Sequence, residues 1–272
     1  MQIEALSGCG AMIAGVDLAR ASEAEVAAVR QAAFDHGVAF LHGQDLHPEA
    51  HIAFARRVGP IVINRYFPKT ERFPEIAKVE KTEEQTTNIG GGWHTDHSYD
   101  AEPAMGSILV AMETPQTGGD TLFANMYAAW DALSDGLKAT LKGLRAVHSA
   151  AHIFGGGAAY KETDQKALSG HTDLPESAHP VAITHPGSGK TALYVNPTFT
   201  LRFEGWTAEE SKPLLDYLYA HAQQPRFVHR FSWKPGSVAF WDNRATWHNA
   251  MNDYHGHRRL MHRITIAGES LG

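Results

Sequence analysis

The chain has 272 residues, 24 Lys and Arg against 30 Asp and Glu, a formal net charge of -6 and 43% hydrophobic residues. A single β or mixed barrel accommodates that length, scattered cations on an acidic background exclude the basic stripe that nucleic acid requires, and no segment approaches the ~18 uninterrupted apolar residues of a membrane span. Cys9 stands alone, which excludes an internal disulfide, and the first residues lack a basic segment followed by an apolar core, so a soluble protein of the cytoplasm is expected.

Ser22 and Glu25 have capping-box spacing ahead of Val26, Val29 and Ala33, and Gly37 stands where that helix should end. The apolar run Val38 to Leu41 predicts a strand, and Pro48 opens a second helix with Ile52, Ala55 and Val58 on one face. Residues 104–112 are too evenly apolar to expose one face, which predicts a buried strand. Gly118 and Gly119 mark a tight connection into a strand over Thr121 to Ala124. A helical insertion is expected near 126–143, carrying Trp130, Leu133, Leu137 and Leu141. The stretch 155–177 is rich in Gly, Ser, Thr and charge and reads as a mobile loop within one domain spanning 1–272. Residues 179–184 and 191–196 flank Pro186-Gly187-Ser188-Gly189, a hairpin signal. Thr207 and Glu210 form another capping box, opening a helix through Leu214, Leu215, Leu218 and Ala222. Strands are then expected over 226–233, 237–241 and 259–267, the first two separated by Lys234-Pro235-Gly236. The sum is mainly β with flanking α-helices, and closing the sheet into a barrel would remove its edges.

Seventeen histidines are too many to mean anything without a spacing. His94-Thr95-Asp96 supplies one: residues two apart share a face of a strand, and a distant imidazole, His248, completes a 2-His-1-carboxylate set that leaves coordination positions open on Fe(II). That set predicts oxygen chemistry. Trp93 and the glycines 90–92 before it suggest a backbone that approaches something closely. His97 would point to the opposite face, as a structural residue or a neighbour of the substrate, and His255 and His257 sit in a turn-like, solvated context. The compact turn Asp242-Asn243-Arg244 is placed to hold the ligand loop by side-chain hydrogen bonds. On these ligands alone, a zinc-dependent hydrolase and a non-catalytic cupin-like binding module remain open.

Four ordered motifs carry a resemblance. Trp93-His94-Thr95-Asp96, residues 118–124, Trp241-Asp242-Asn243-Arg244 with Thr246 and His248, and residues 258–263 resemble those of the TauD/TfdA family of dioxygenases, from about Gly15 to Gly268. The resemblance implies a double-stranded β-helix, the jelly-roll or cupin-like barrel, with His94, Asp96 and His248 binding Fe(II), and with 2-oxoglutarate and O2 as co-substrates. It further implies that Arg259, eleven residues after His248, grips the distal carboxylate of 2-oxoglutarate, supported by the Thr121 hydroxyl. A planar, permanently charged fork suits a carboxylate, and a zinc hydrolase would have no use for this pair. Arg263, four residues on, falls at the position that anchors an acidic substrate head, which implies a small anionic organic substrate. The family also suggests a homodimer or homotetramer. Against the taurine-binding pattern, Asn64 replaces a histidine, Gly90 an asparagine and Phe67 a tyrosine, whereas Phe154 and Phe199 match apolar pocket positions. The substitutions should enlarge and dry the pocket, favouring a bulkier or less polar acid than taurine.

Overall fold

In the computed structural model, which describes residues 1–157 and 159–271, helices begin where their end signals stand. Helix Glu23–His36 opens on a complete capping box. The Ser22 hydroxyl accepts from Glu25 N, the Glu25 carboxylate accepts from Ser22 N, and Gly37 at φ 84 closes the helix. A Cβ at Gly37 would also meet Thr246 Cγ2 at 2.5 Å, so glycine is required twice over. Pro48 starts Pro48–Val58, and a second capping box from Thr207 and Glu210 starts Ala208–Ala222.

Among the described residues the main sheet has eight strands, in the spatial order Gln2–Ala5, Ala11–Ala14, Val38–Leu41, Val238–Asp242, Gly106–Glu113, Arg259–Ile266 and Ile61–Val62, with Ala77–Lys81 paired beside Arg259–Ile266. Strand Thr121–Asn125 lies between Val228–Phe231 and Thr246–Ala250 in a second sheet. Phe40, Ala239, Trp241 and Met261 of the first sheet interlock with Phe123 and Phe231 of the second. Helices Glu23–His36 and Pro48–Val58 cover the outer face of the main sheet through Val29, Ala33, Phe54 and Val58 packed on Ile108, Phe240 and Ile264. The fold is therefore a mainly β jelly roll with helices on its outside.

Several elements differ from the pattern in the sequence. The helical insertion divides into Met126–Asp131 and Asp135–Leu141, each with its own side-chain cap, Asn125 and Ser134. The strand expected over 179–184 also divides. Glu176–Pro180 pairs with Arg145–Ser149, whereas Ala182–Thr184 forms the hairpin with Thr191–Leu193. Segment 155–177 contains a 3-10 turn, Lys166–Leu168, and the Gln165 amide ties it to the carbonyls of Glu80 and Thr87. Ala158, inside that segment, and Gly272 lie outside the described residues. Among the described residues no helix is long and apolar enough to cross a membrane.

His51, on the inner face of Pro48–Val58, is 1% exposed, and neither ring nitrogen has a hydrogen-bond partner. Burial, helped by the nearby charge of His262, pushes its pKa down to about 3. The folded protein holds the ring neutral while the unfolded chain takes up a proton below about pH 6.5. The folded pKa lies below the unfolded one, so stability is whole above the unfolded value and is lost as pH falls toward the folded value. His51→Leu should therefore flatten the decline of the urea midpoint between about pH 6.5 and 4.5; equal slopes for variant and parent would refute this.

Candidate active site

His248 sits in the middle of strand Thr246–Ala250, with ring centroids 4.7 Å from Trp241 and 6.1 Å from Phe123. One isolated backbone bridge joins it to His94: His94 N donates to His248 O at 3.1 Å and His248 N to His94 O at 2.8 Å. The strand expected through His94-Thr95-Asp96 does not continue beyond that bridge. The chain turns at Asp96, and His97 takes φ 59. A side chain makes the next link, because the Thr95 hydroxyl donates to Asn243 O at 2.6 Å. Asn243 is itself fixed by Trp241 Nε1 donating to its Oδ1 at 2.9 Å and by its own amide donating to Ala104 O at 3.1 Å. Asp242 accepts from Arg244 Nη2 at 2.6 Å and contacts His185 Nε2 at 3.0 Å. The turn thus meets the ligand loop through its main-chain carbonyl, and its side chains, expected to make that link, fix the turn itself instead.

His94 Nε2 lies 3.7 Å from Asp96 Oδ1, and His248 Nε2 lies 3.8 Å from Asp96 Oδ2. One donor atom from each of the three residues falls within 4.8 Å of the others, and all three residues are buried. His94 Nδ1 is 2.9 Å from Gly92 O, which assigns the proton to Nδ1 and leaves the Nε2 lone pair facing Asp96. That carbonyl is aimed by Gly92 at φ 85, whose N–H donates to Asn249 Oδ1 at 2.9 Å. Burial drives the pKa of His94 down against the pull of Asp96, and burial with the nearby His94 drives His248 well down, so both rings are held neutral. Burial would raise the Asp96 carboxyl, but the permanently charged Arg263 beside it leads in holding it below the ordinary range. Asp96 Oδ2 and His248 Nδ1 are buried without hydrogen-bond partners. Two neutral imidazoles and an ionised carboxylate with an unpartnered oxygen fit a divalent cation of the Fe(II) type.

Beside this cluster lies a cavity of about 310 Å³ lined by His94, Asp96 and His248 together with Thr121, Arg259 and Arg263. That is the small end of ligand sites, room for small molecules only. Arg259 and Arg263 are four apart on strand Arg259–Ile266 and so project from one face. Arg259 is 5% exposed, its guanidinium carbon is 5.7 Å from the Trp233 ring centroid, and its Nε and Nη2 have no partner. Burial lowers its pKa. The Thr121 oxygen accepts from Trp233 Nε1 at 3.0 Å, leaving its own proton free to donate into the cavity. Arg263 lies 3.5 Å from Asp96 Oδ1 and 4.9 Å from the Phe67 ring centroid, with Nε unpartnered.

Phe67, Gly90, Phe154 and Phe199 line the same cavity, whereas Asn64 is not among its lining residues. Asn64 Oδ1 accepts from Tyr66 N at 2.9 Å and Phe67 N at 3.2 Å, and its amide faces His97 Nε2 at 3.4 Å. It shapes the turn that presents Phe67. Sequence reasoning also missed Asn88, Ile89, Tyr99, Ile153 and Tyr160 in the lining. Tyr160 was hidden in the polar stretch 155–177, yet its hydroxyl accepts from Gly90 N at 3.4 Å and closes one side of the cavity.

A family model, Taurine catabolism dioxygenase TauD, TfdA family, matches residues 2–265. An alkylsulfatase of Acinetobacter baylyi is 34% identical over 277 residues, covering 99% of this chain and 86% of that protein. An alpha-ketoglutarate-dependent 2,4-dichlorophenoxyacetate dioxygenase of a Burkholderia species is 34% identical, over 91% of this chain and 87% of its own. Among solved structures, a taurine dioxygenase from Burkholderia xenovorans superposes with a TM-score of 0.83 at 34% identity, over 98% of this chain and 89% of that one. Resemblance in the motifs, in the whole fold and in the caged His-Asp-His cluster converges on one assignment: the chain belongs to the TauD/TfdA family and is an Fe(II)- and 2-oxoglutarate-dependent dioxygenase.

Proposed function

We propose that His94, Asp96 and His248 hold the ferrous ion, that Arg259 and Thr121 seat the distal carboxylate of 2-oxoglutarate, and that Arg263 anchors a small organic acid with a bulky apolar body: a sulfate ester, a sulfonate or an aryloxyalkanoate. The observation that carries this is the pair of buried guanidinium groups on one strand face, each with an unpartnered nitrogen, opening into one cavity. One fork suits the keto acid, and the other is left for a second anion. Phe67 packs on Arg263, and Phe154, Phe199, Ile89 and Ile153 line the same cavity, so the part of the substrate beyond its charge meets apolar surface. The substrates named for the alkylsulfatase and the dichlorophenoxyacetate dioxygenase combine an anionic group with such a body.

With Fe(II) and 2-oxoglutarate held there and O2 as oxidant, the centre would couple oxidative decarboxylation to succinate and CO2, which takes one oxygen atom, to hydroxylation of a substrate C–H, which takes the other. The protein contributes position and exclusion. The neutral rings of His94 and His248 present lone pairs, Arg259 and Thr121 fix the keto acid's far end, and Arg263 holds the substrate beside Asp96. Hydroxylation at a carbon bearing an ester or ether oxygen gives a product that breaks into a carbonyl compound and a released anion. The chain is further read as one dioxygenase domain acting in the cytoplasm, in keeping with its single buried thiol. A homodimer or homotetramer would cover apolar surface such as Trp206 and Tyr217.

A panel of alkyl sulfates, alkyl and aryl sulfonates and aryloxyalkanoates, assayed for stimulation of 2-oxoglutarate decarboxylation, should contain acids with kcat/KM well above that of taurine. Comparable values for taurine and the best of the panel would reject the substrate class. In Arg263→Ala the stimulation should vanish while anaerobic binding of 2-oxoglutarate persists; joint loss of both would remove Arg263 from the substrate role. Thr95→Val deletes the bond that fastens the ligand loop to Asn243, and ferrous affinity should fall by about 10- to 100-fold, as for other supporting contacts of metal ligands. Titration with Fe(II) under argon reads this directly, and unchanged affinity would show that the loop holds its shape without it.

A further inference from the structure

Strand Ala77–Lys81 pairs with Arg259–Ile266 in the register Lys81 to Arg259, Val79 to Met261 and Ala77 to Arg263. Side chains alternate along a strand, so Lys81 and Val79 project from the same face as Arg259 and Arg263. Val79, Arg259 and Arg263 all line the cavity, which makes that face the inner one. Lys78 and Glu80 take the outer face, where the Glu80 carboxylate is engaged with Arg258 and Lys78. The acid next to Lys81 in sequence is therefore turned away from it.

Lys81 is 2% exposed, and its Nζ has no hydrogen-bond partner. It lies 4.4 Å from the centroid of the Tyr254 ring. A cation–π contact offsets part of the desolvation of an ammonium but does not neutralise it. Tyr254 and Arg259 meet at one point. A Cβ added to Gly119 would fall 3.3 Å from Arg259 Cδ and 3.4 Å from Tyr254 Cδ1. Tyr254 thus lies next to both Lys81 and Arg259; of the three only Arg259 lines the cavity, and Lys81 and Tyr254 sit behind its wall. Asp120 acts electrostatically on Arg259, but its carboxylate is bonded to Arg230 at 2.6 Å. Like charges directly opposite on paired strands repel, and burial strengthens the repulsion.

Resting on the assignment of Arg259 as the seat of the distal carboxylate, we propose that Lys81 is a positioning residue for 2-oxoglutarate, its buried ammonium supplying positive potential from behind Tyr254. A dianion entering beside Arg259 meets two cations in place of one. In return, the ligand-free protein carries a buried ammonium with no hydrogen-bond partner. Lys81 buys co-substrate affinity with stability, and it sits too far from Arg263 in the register to act on the organic substrate's anchor.

The test uses the full-length protein loaded with Mn(II), with titration calorimetry of 2-oxoglutarate and thermal melts with and without it. Lys81→Met should raise the Kd for 2-oxoglutarate on the order of tenfold, leave the ligand-free Tm unchanged or higher, and leave KM for the organic substrate near that of the parent. Lys81→Arg should restore most of the affinity, and Lys81→Gln serves as the neutral variant should the methionine form fail to fold. Parental affinity in the neutral variants would overturn the proposal. So would a lowered ligand-free Tm with affinity that Lys81→Arg does not restore, which is the signature of a purely structural lysine. Arg259→Ala separates the two assignments: unchanged binding in that variant overturns the seat itself, whereas lost binding there with parental binding in Lys81→Met overturns Lys81 alone.

Discussion

A single backbone bridge between His94 and His248 is the constraint on which the site depends. It brings residues far apart in the sequence to a fixed separation, and it does so with main-chain groups, whose geometry does not vary with rotamer. The imidazole centroids are 4.1 Å apart as a result. Because the bridge is isolated, no continuing ladder holds Asp96, and the Thr95 hydroxyl on Asn243 O takes over that task. Two buried aromatic rings, Trp241 and Phe123, then limit how His248 can turn. The cluster is preorganised by hydrogen bonds and packing belonging to the barrel, so a metal entering it meets donors already in place.

The same rigidity lets the fold bury charge that the protein itself satisfies only in part. Arg259 and Arg263 have unpartnered nitrogens at 5% and 6% exposure, an arrangement that lowers stability unless an anion arrives. Free nitrogens of this kind are what the proposed seats for two acids require, and Arg263 keeps its Nε free beside the 3.5 Å contact of its Nη1 with Asp96 Oδ1. Arg258 makes the contrast on the same segment. It faces outward, pairs with Glu80 and Glu113, and has a side chain 32% exposed to solvent screening, so its ion pairs belong to the surface.

Much of this was legible in the sequence because it rests on local rules. Both capping boxes and the Pro48 start depend on a few adjacent residues, and the order of four motifs picked out the three residues that the fold gathers and the two arginines that line the cavity. The errors have physical causes. His94-Thr95-Asp96 reads as strand because residues two apart share a strand face, but a turn beginning at Asp96 also brings the carboxylate to the imidazole. Strand Thr246–Ala250 and the partners of Arg145–Ser149 depend on pairing with distant segments, which no local pattern encodes. Asn64 occupies a pocket position by alignment, yet its side chain turns back onto the amides of Tyr66 and Phe67, a choice that short polar side chains make through local geometry. Lys81 gave no signal because one lysine in an alternating strand is ordinarily the exposed one.

Placing both arginines on one strand also constrains the chemistry. Four residues span about 13 Å along a strand, so the proposed seats for the two acids are held apart by backbone and cannot merge into one. Arg263, however, approaches within 3.5 Å of Asp96 Oδ1, close to the centre where the three donor atoms converge. On the proposed assignment the substrate's charged group therefore lies beside the metal ligands, and the carbon presented for oxidation lies within a few bonds of that charge. A sulfate ester or an aryloxyalkanoate places a C–H at such a distance, next to an oxygen whose bond breaks once that carbon is hydroxylated. The apolar body then extends toward Phe154 and Phe199, so discrimination among substrates falls to the aromatic wall while the site of attack is set by the anion.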